Sequence, residues 1–187
     1  MVKKIAALLL AGMLLLTGCA AKQPAKEQNT DGAAAQGILS TFTTTDLDGN
    51  TVTAQDAFGG YEMTVVNVWG TFCSPCIAEM PDLGALSDAL AEKNVRVVGI
   101  VIDALAADGS IDAAIVESAQ EIVAQTGADY LHLLPSEDLL GLLSQITAVP
   151  TTLFVDETGA QVGSAYAGAR SQDEWAAIVE ETLAQMK

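Results

Sequence analysis

Residues 69–76 read Trp69-Gly70-Thr71-Phe72-Cys73-Ser74-Pro75-Cys76, with two cysteines three positions apart. What flanks them decides how they are used. Upstream, residues 63–69 (MTVVNVW) form an apolar, β-branched run of the kind that fills a central strand buried on both faces. Downstream, residues 77–93 carry Ile77, Met80, Leu83, Leu86 and Leu90 at helical spacing, with Pro81 as an expected kink. The pair therefore sits where a strand hands over to a helix. A thiolate at a helix N-terminus meets unpaired backbone N–H groups and the positive end of the helix dipole, which makes Cys73 a usable nucleophile near neutral pH. Cys76, one turn on, can close a small disulfide ring with it.

Two blander uses of the pair weigh less. Half of a zinc site would need two further ligands, and only Cys19 and the single His132 remain as cysteine or histidine candidates, so no metal is expected. A permanent structural bridge over so short a loop would stabilise little compared with a longer one. Thiol–disulfide redox chemistry is the larger share, with the cysteine pair itself as the redox group and no added cofactor.

Further outward, residues 95–102 (VRVVGIVI) read as a second buried strand, and the order strand, helix, strand favours a parallel pair with a right-handed crossover. Before the motif, residues 42–45 and 51–53, separated by a turn at Asp48-Gly49-Asn50, read as a hairpin. After it come a helix over 110–125 stopped by Gly127, a short strand over 130–134, and a helix opened by Ser136 and running to about Ile146. Strands over 151–155 and 161–167 follow, joined by a turn at Asp156-Glu157-Thr158-Gly159. Ser171 with Glu174 forms a capping box for a last helix to Met186. Trp175 is expected to pack that helix on the sheet, His132 to be a satisfied core or edge residue, and Asp103, Asp108 and Asp112 to be loop and cap residues.

The N-terminal part has another character. Lys3 and Lys4 precede an apolar run over residues 5–16, twelve residues long, which is short of the roughly twenty needed to span a bilayer. It ends in Leu16-Thr17-Gly18-Cys19, which resembles the bacterial lipobox, so residues 1–18 read as a lipoprotein signal peptide and Cys19 as the lipidation site. Residues 19–37 then form a lipidated cysteine and a flexible polar tether, and residues 38–187 the folded domain. The formal charge of −16 becomes −18 without the two signal lysines, which excludes nucleic acid as a partner and leaves the lipid to hold the chain to a membrane.

With its cysteine motif and the later Val149-Pro150-Thr151-Thr152, the chain resembles the thioredoxin superfamily, and within it the TlpA/ResA-like membrane-anchored branch. The resemblance covers roughly residues 41–187; Phe72 stands where the family usually has Trp or Tyr. It implies an α/β thioredoxin-like fold: a central mixed β-sheet flanked by helices, with an N-terminal β-hairpin and an inserted helix and strand after the second central strand. It also implies a cis bond at Pro150 facing the cysteines, with the Val149 backbone and Thr151 beside it to pair with substrate, and Trp69, Phe72, Ser74 and Pro75 around the pair as further substrate contacts. Asn67 lies where thioredoxin has a buried acidic residue, and Glu79 matches the active-site glutamate of ResA-like proteins. The implied activity is extracytoplasmic reduction of disulfides in exported proteins. Electrons would come from a membrane transporter of the CcdA/DsbD type. A DsbA-like oxidase and a non-enzymatic binding lipoprotein on the same scaffold stand as alternatives.

Overall fold

The computed structural model describes Gly37 and residues 39–187. The expected signal peptide, the lipobox cysteine Cys19 and nearly all of the tether lie outside the described residues. Two sheets form. Strands β1 (Thr43–Thr45) and β2 (Thr51–Thr53) make an antiparallel hairpin, and a five-stranded sheet has the order β5-β4-β3-β6-β7. Here β3 is Met63–Trp69, β4 Val95–Val101, β5 Leu131–Leu133, β6 Thr151–Val155 and β7 Gln161–Ala167. The central strand β3 runs parallel to β4 and antiparallel to β6, which makes the sheet mixed.

Every residue of β3 is buried, as expected of a largely apolar run filling the centre of a sheet, and the polar Thr64 and Asn67 are buried with it. Successive side chains leave it on opposite faces. Val66 and Val68 enter a core with Phe42, Phe58, Ile100, Leu139, Leu142 and Leu153, built from the hairpin, helix α1 (Ala54–Phe58) and helix α4 (Leu140–Leu143). Met63 and Val65 enter a second core with Leu83, Leu86, Leu90, Phe154, Trp175 and Val179. That core joins the sheet to α2 (Ser74–Leu90) and α5 (Gln172–Gln185). Trp69, at the end of the strand, belongs to a third cluster together with Cys73, Cys76 and Met80. Burying each large aliphatic side chain is worth about 1.5–3 kcal/mol, so β3 is the pin on which both layers hang.

Several local expectations shift. The helix after β4 is α3 (Ala113–Thr126), and Asp112 caps it by accepting from the Ala114 and Ile115 N–H groups; Ser110 instead closes a turn on Asp108. Gly127 ends it in the left-handed conformation (φ 69°) that only glycine adopts without strain. The single helix expected from Ser136 is a 3-10 turn (Glu137–Leu139) followed by the one-turn α4, and the Ser136 hydroxyl caps nothing. Helix α2 runs unbroken through Pro81, and α1 had no strong sequence signal because it is only five residues long. The Ser171–Glu174 capping box forms as expected.

Candidate active site

Cys73 and Cys76 are joined in a disulfide at the start of α2. Cys73 is the N-cap of that helix, and its sulfur accepts the Cys76 backbone N–H at 3.2 Å. An N–H held at this position stabilises negative charge on Cys73 when the bridge opens. Pro75 falls in the first turn, where a missing N–H costs nothing. The preceding loop is fixed from the end of β4: Thr71 donates both its backbone N–H (3.1 Å) and its hydroxyl (2.6 Å) to the Asp103 carboxylate. Sequence reasoning took Asp103 for a loop residue and missed this anchor, 32 residues away.

The surroundings are sharply two-sided. Cys73 and Cys76 are buried, whereas Ser74 and Pro75 are exposed and Phe72 is 70% exposed, among the few large apolar side chains open to solvent in the described residues. Gly70 makes room for that aromatic ring, since a Cβ there would lie 2.6 Å from Phe72 Cε1. Across from the pair, the Val149–Pro150 peptide is cis, and the Val149 carbonyl oxygen lies 3.6 Å from Cys73 Sγ. Val149 and Thr151 are half-buried, and the Thr151 hydroxyl closes the bend by donating to Ala148 O at 2.7 Å. Trp69 is different. It is fully buried and offers no surface to a substrate; its indole N–H donates to His132 Nδ1 at 3.2 Å, so it is a floor beneath the disulfide.

Glu79 is no solvated surface residue. Only 2% exposed, it accepts at Oε1 from the Arg170 backbone N–H (2.8 Å) and the Trp175 indole (2.7 Å), and at Oε2 from the Asn67 amide at 3.5 Å. Burial pushes its carboxyl above the ordinary glutamate range, and these three hydrogen bonds offset part of that rise. Asn67 reaches Glu79 because it shares the α2-facing side of β3 with Val65 and Trp69, and it also donates to the Thr152 hydroxyl at 3.0 Å. Thus the buried carboxyl of this site stands on the helix, and the strand contributes a neutral donor. Sequence reasoning found Glu79 and Asn67 but read Trp175 only as packing and did not find Arg170. No local spacing signals partners 91 and 96 residues away.

His132 is the satisfied core residue expected. With Nδ1 accepting from Trp69, Nε2 carries the proton and donates to Ala128 O at 2.9 Å. Burial pushes its pKa down to about 4, so it is neutral at pH 7 and does not serve the cysteines as a charged group.

A strand, a disulfide-capped helix and a cis-proline bend facing it are thereby brought together from three distant parts of the chain. The family model described as Redoxin matches residues 30–175. The chain belongs to the Redoxin family. Among curated relatives, the thiol-disulfide oxidoreductase ResA of Bacillus anthracis is 36% identical over 62 residues, and a ResA of Bacillus cereus matches equally. The match covers 33% of this chain and 35% of those relatives, so this redoxin aligns with only about a third of their length. Solved structures agree on the fold. A thioredoxin-family thiol:disulfide interchange protein of Chlorobium tepidum superposes with a TM-score of 0.61 at 22% identity, covering 76% of this chain and 93% of that one. A secreted disulfide oxidoreductase of Mycobacterium tuberculosis gives 0.59 at 23%, covering 78% and 98%. The thioredoxin-like architecture and the TlpA/ResA-like resemblance read from the sequence therefore hold. No helix of the described residues is long and apolar enough to cross a membrane.

Proposed function

We propose that this redoxin is an extracytoplasmic thiol–disulfide oxidoreductase that reduces disulfides in exported proteins. The supporting observation is the Cys73–Cys76 bridge at the N-terminus of α2, with the exposed Phe72 next to Cys73 in the chain and the Val149 carbonyl 3.6 Å from Cys73 Sγ. In the reduced state the Cys73 thiolate attacks one sulfur of a substrate disulfide; the substrate S–S bond breaks, and its other sulfur leaves as a thiol after taking a proton. Cys76, losing its proton, then attacks Cys73 Sγ. The mixed disulfide breaks, the substrate leaves as a dithiol, and the enzyme holds the Cys73–Cys76 disulfide. Two electrons have passed to the substrate, and they must be restored by a membrane thiol-electron transporter of the CcdA/DsbD type.

Phe72, Ser74 and Pro75 supply a docking surface on one side of the sulfur. The bend at Val149, Pro150 and Thr151 supplies backbone for an extended substrate segment on the other. Glu79, one turn beyond Cys76 on the same helix, takes or relays the Cys76 proton during resolution. A lipid on Cys19 would hold the domain to the outer face of the cell membrane through its tether. The ResA resemblance and the secreted M. tuberculosis neighbour support that location.

Insulin reduction with dithiothreitol as electron donor tests the activity. The full chain should accelerate precipitation of the insulin B chain and Cys73→Ala should not; equal behaviour of the two would leave a binding lipoprotein as the better reading. Direction is read from the reduction potential of the pair: a value near that of thioredoxin, about −270 mV, fits a reductase, and one near about −120 mV a DsbA-like oxidase. Cys19→Ser should release the chain from membranes, and unchanged sedimentation with them would remove the anchor.

A further inference from the structure

The carboxyl of Glu79 is asymmetric. Oε1 takes two short hydrogen bonds, from the Arg170 amide at 2.8 Å and the Trp175 indole at 2.7 Å, while Oε2 has one long contact with Asn67 at 3.5 Å. Trp175 lies in the first turn of α5 and Arg170 just before its cap Ser171, both remote in sequence from the cysteines. Trp175 is fully buried and sits among Phe154 and Tyr166 at ring separations of 6.4 and 6.1 Å, so its indole is locked in place. The Arg170 guanidinium lies over the Tyr166 and Trp175 rings, 5.0 Å from each centroid, and donates to Gly168 O. The same turn reaches the substrate-facing bend, because the Gly168 N–H donates to Pro150 O at 2.8 Å.

We propose that Trp175 is a positioning residue for the thiol chemistry: with the Arg170 amide it pins Oε1 of Glu79 as a permanent acceptor and leaves Oε2 as the oxygen that gains and loses the proton. This deepens the oxidoreductase reading and rests on it only for its consequence in turnover. Oε1 cannot carry the proton without turning an O–H against one of two N–H donors, which would leave a buried donor unpaired. Oε2 carries no such penalty: it accepts from a single donor, one N–H of Asn67 at 3.5 Å, so a proton can occupy its other lone pair while that contact stays, and the second Asn67 N–H is held by the Thr152 hydroxyl. The charged or titratable groups coupled to the carboxyl are the Arg170 guanidinium before α5, which favours the ionised form, and the Tyr130 phenol before β5, with Cys76 one turn back on the same helix. Asn67 of β3 and Trp175 of α5 are neutral, so they act by hydrogen bonding alone. Removing the indole donor takes away a bond to the charged form and should raise the Glu79 titration.

The chain has two tryptophans, so two indole N–H signals appear in a ¹H–¹⁵N spectrum. In the reduced full chain, the Trp175 signal should move with pH at the midpoint of Glu79, above the usual glutamate value, and should stand still over that range in Glu79→Gln. In Trp175→Phe, the inflection in cysteine alkylation rate that Glu79→Gln abolishes should rise by about one pH unit. The proposal is overturned if the Trp175 signal is pH-independent in the unmutated chain or moves unchanged in Glu79→Gln. It is equally overturned if Trp175→Phe shifts the alkylation profile as much in the Glu79→Gln background as alone. Should Trp175→Phe fail to fold, the spectroscopic titration decides by itself. Because that titration uses no substrate, the expected movement together with a failure to reduce insulin would count against the oxidoreductase reading alone.

Discussion

At the scale of single residues, two buried groups titrate away from their ordinary values with opposite consequences for stability. His132 is depressed from 6.5 to about 4 because burial disfavours its charged form. Its stabilising contribution is complete above the unfolded value of 6.5 and is lost as pH falls towards 4, because only the unfolded chain gains the proton in that window. A shift of this size corresponds to roughly 3 kcal/mol. Urea unfolding should therefore show stability falling between pH 6.5 and 4, and His132→Gln, which keeps a donor and an acceptor but cannot charge, should flatten that limb. An identical slope in both proteins would refute the assignment. Glu79 acts the other way: its raised folded value gives stability that is present below the ordinary glutamate value and is lost as pH rises through the raised one. Cys73 and Cys76 were legible from their spacing at a strand-to-helix junction, and Glu79 from the resemblance to ResA-like proteins, its three-residue spacing placing it on the Cys76 face of the helix. The burial of Glu79 was not, because its cover comes from residues 67, 170 and 175.

At the scale of elements, helix α2 must deliver the cysteines at one end while packing closely on α3 along its length. Gly84 makes that approach possible. A Cβ there would stand 2.6 Å from the Gly127 carbonyl oxygen, a backbone atom at the glycine cap of α3 that cannot swing aside. Replacing a mid-helix glycine by alanine ordinarily gains about 1 kcal/mol in helix propensity, whereas forcing extra volume into a packed interface costs about 1–3 kcal/mol. The clash is with backbone, so the second effect should win: Gly84→Ala is expected to lower stability by about 1 kcal/mol or more, read as a reduced urea midpoint with unchanged slope. A higher midpoint would show that α3 moves away freely. Element boundaries were legible where a residue's chemistry acts locally, as in the Ser171–Glu174 box and the Gly127 stop. They were not at the start of α3, expected at residue 110 and found at Ala113, or after Ser136. Asp108 captures Ser110, leaving Asp112 to cap α3, and the leucine-rich stretch after Ser136 breaks into short turns to fit beneath the hairpin core.

At the scale of the whole molecule, a formal charge of −16 sets the electrostatics. Among the described residues the one ion pair is Lys93–Glu180, on the surface, so most acidic groups face solvent without a cationic partner. Self-repulsion should then be relieved by screening. Raising sodium chloride from about 10 to about 300 mM should raise the melting temperature by about 2–5 °C, given that 1 kcal/mol shifts a domain of this size by roughly 2–4 °C. A fall on adding salt would mean that attractive pairs dominate. The order of the strands and of the longer helices, the two buried central strands and the cysteines at a strand-to-helix junction were determined by the sequence itself, because hydrophobic period and helix-start chemistry act over a few neighbouring residues. The tertiary structure alone decided that Arg170 and Trp175 supply donors to Glu79, that Asp103 holds the loop before Cys73, and that Trp69 lies fully buried in the cluster with the disulfide. Those contacts join positions 32 to 96 residues apart, and only the packing of both helical layers on β3 brings such positions within hydrogen-bonding distance.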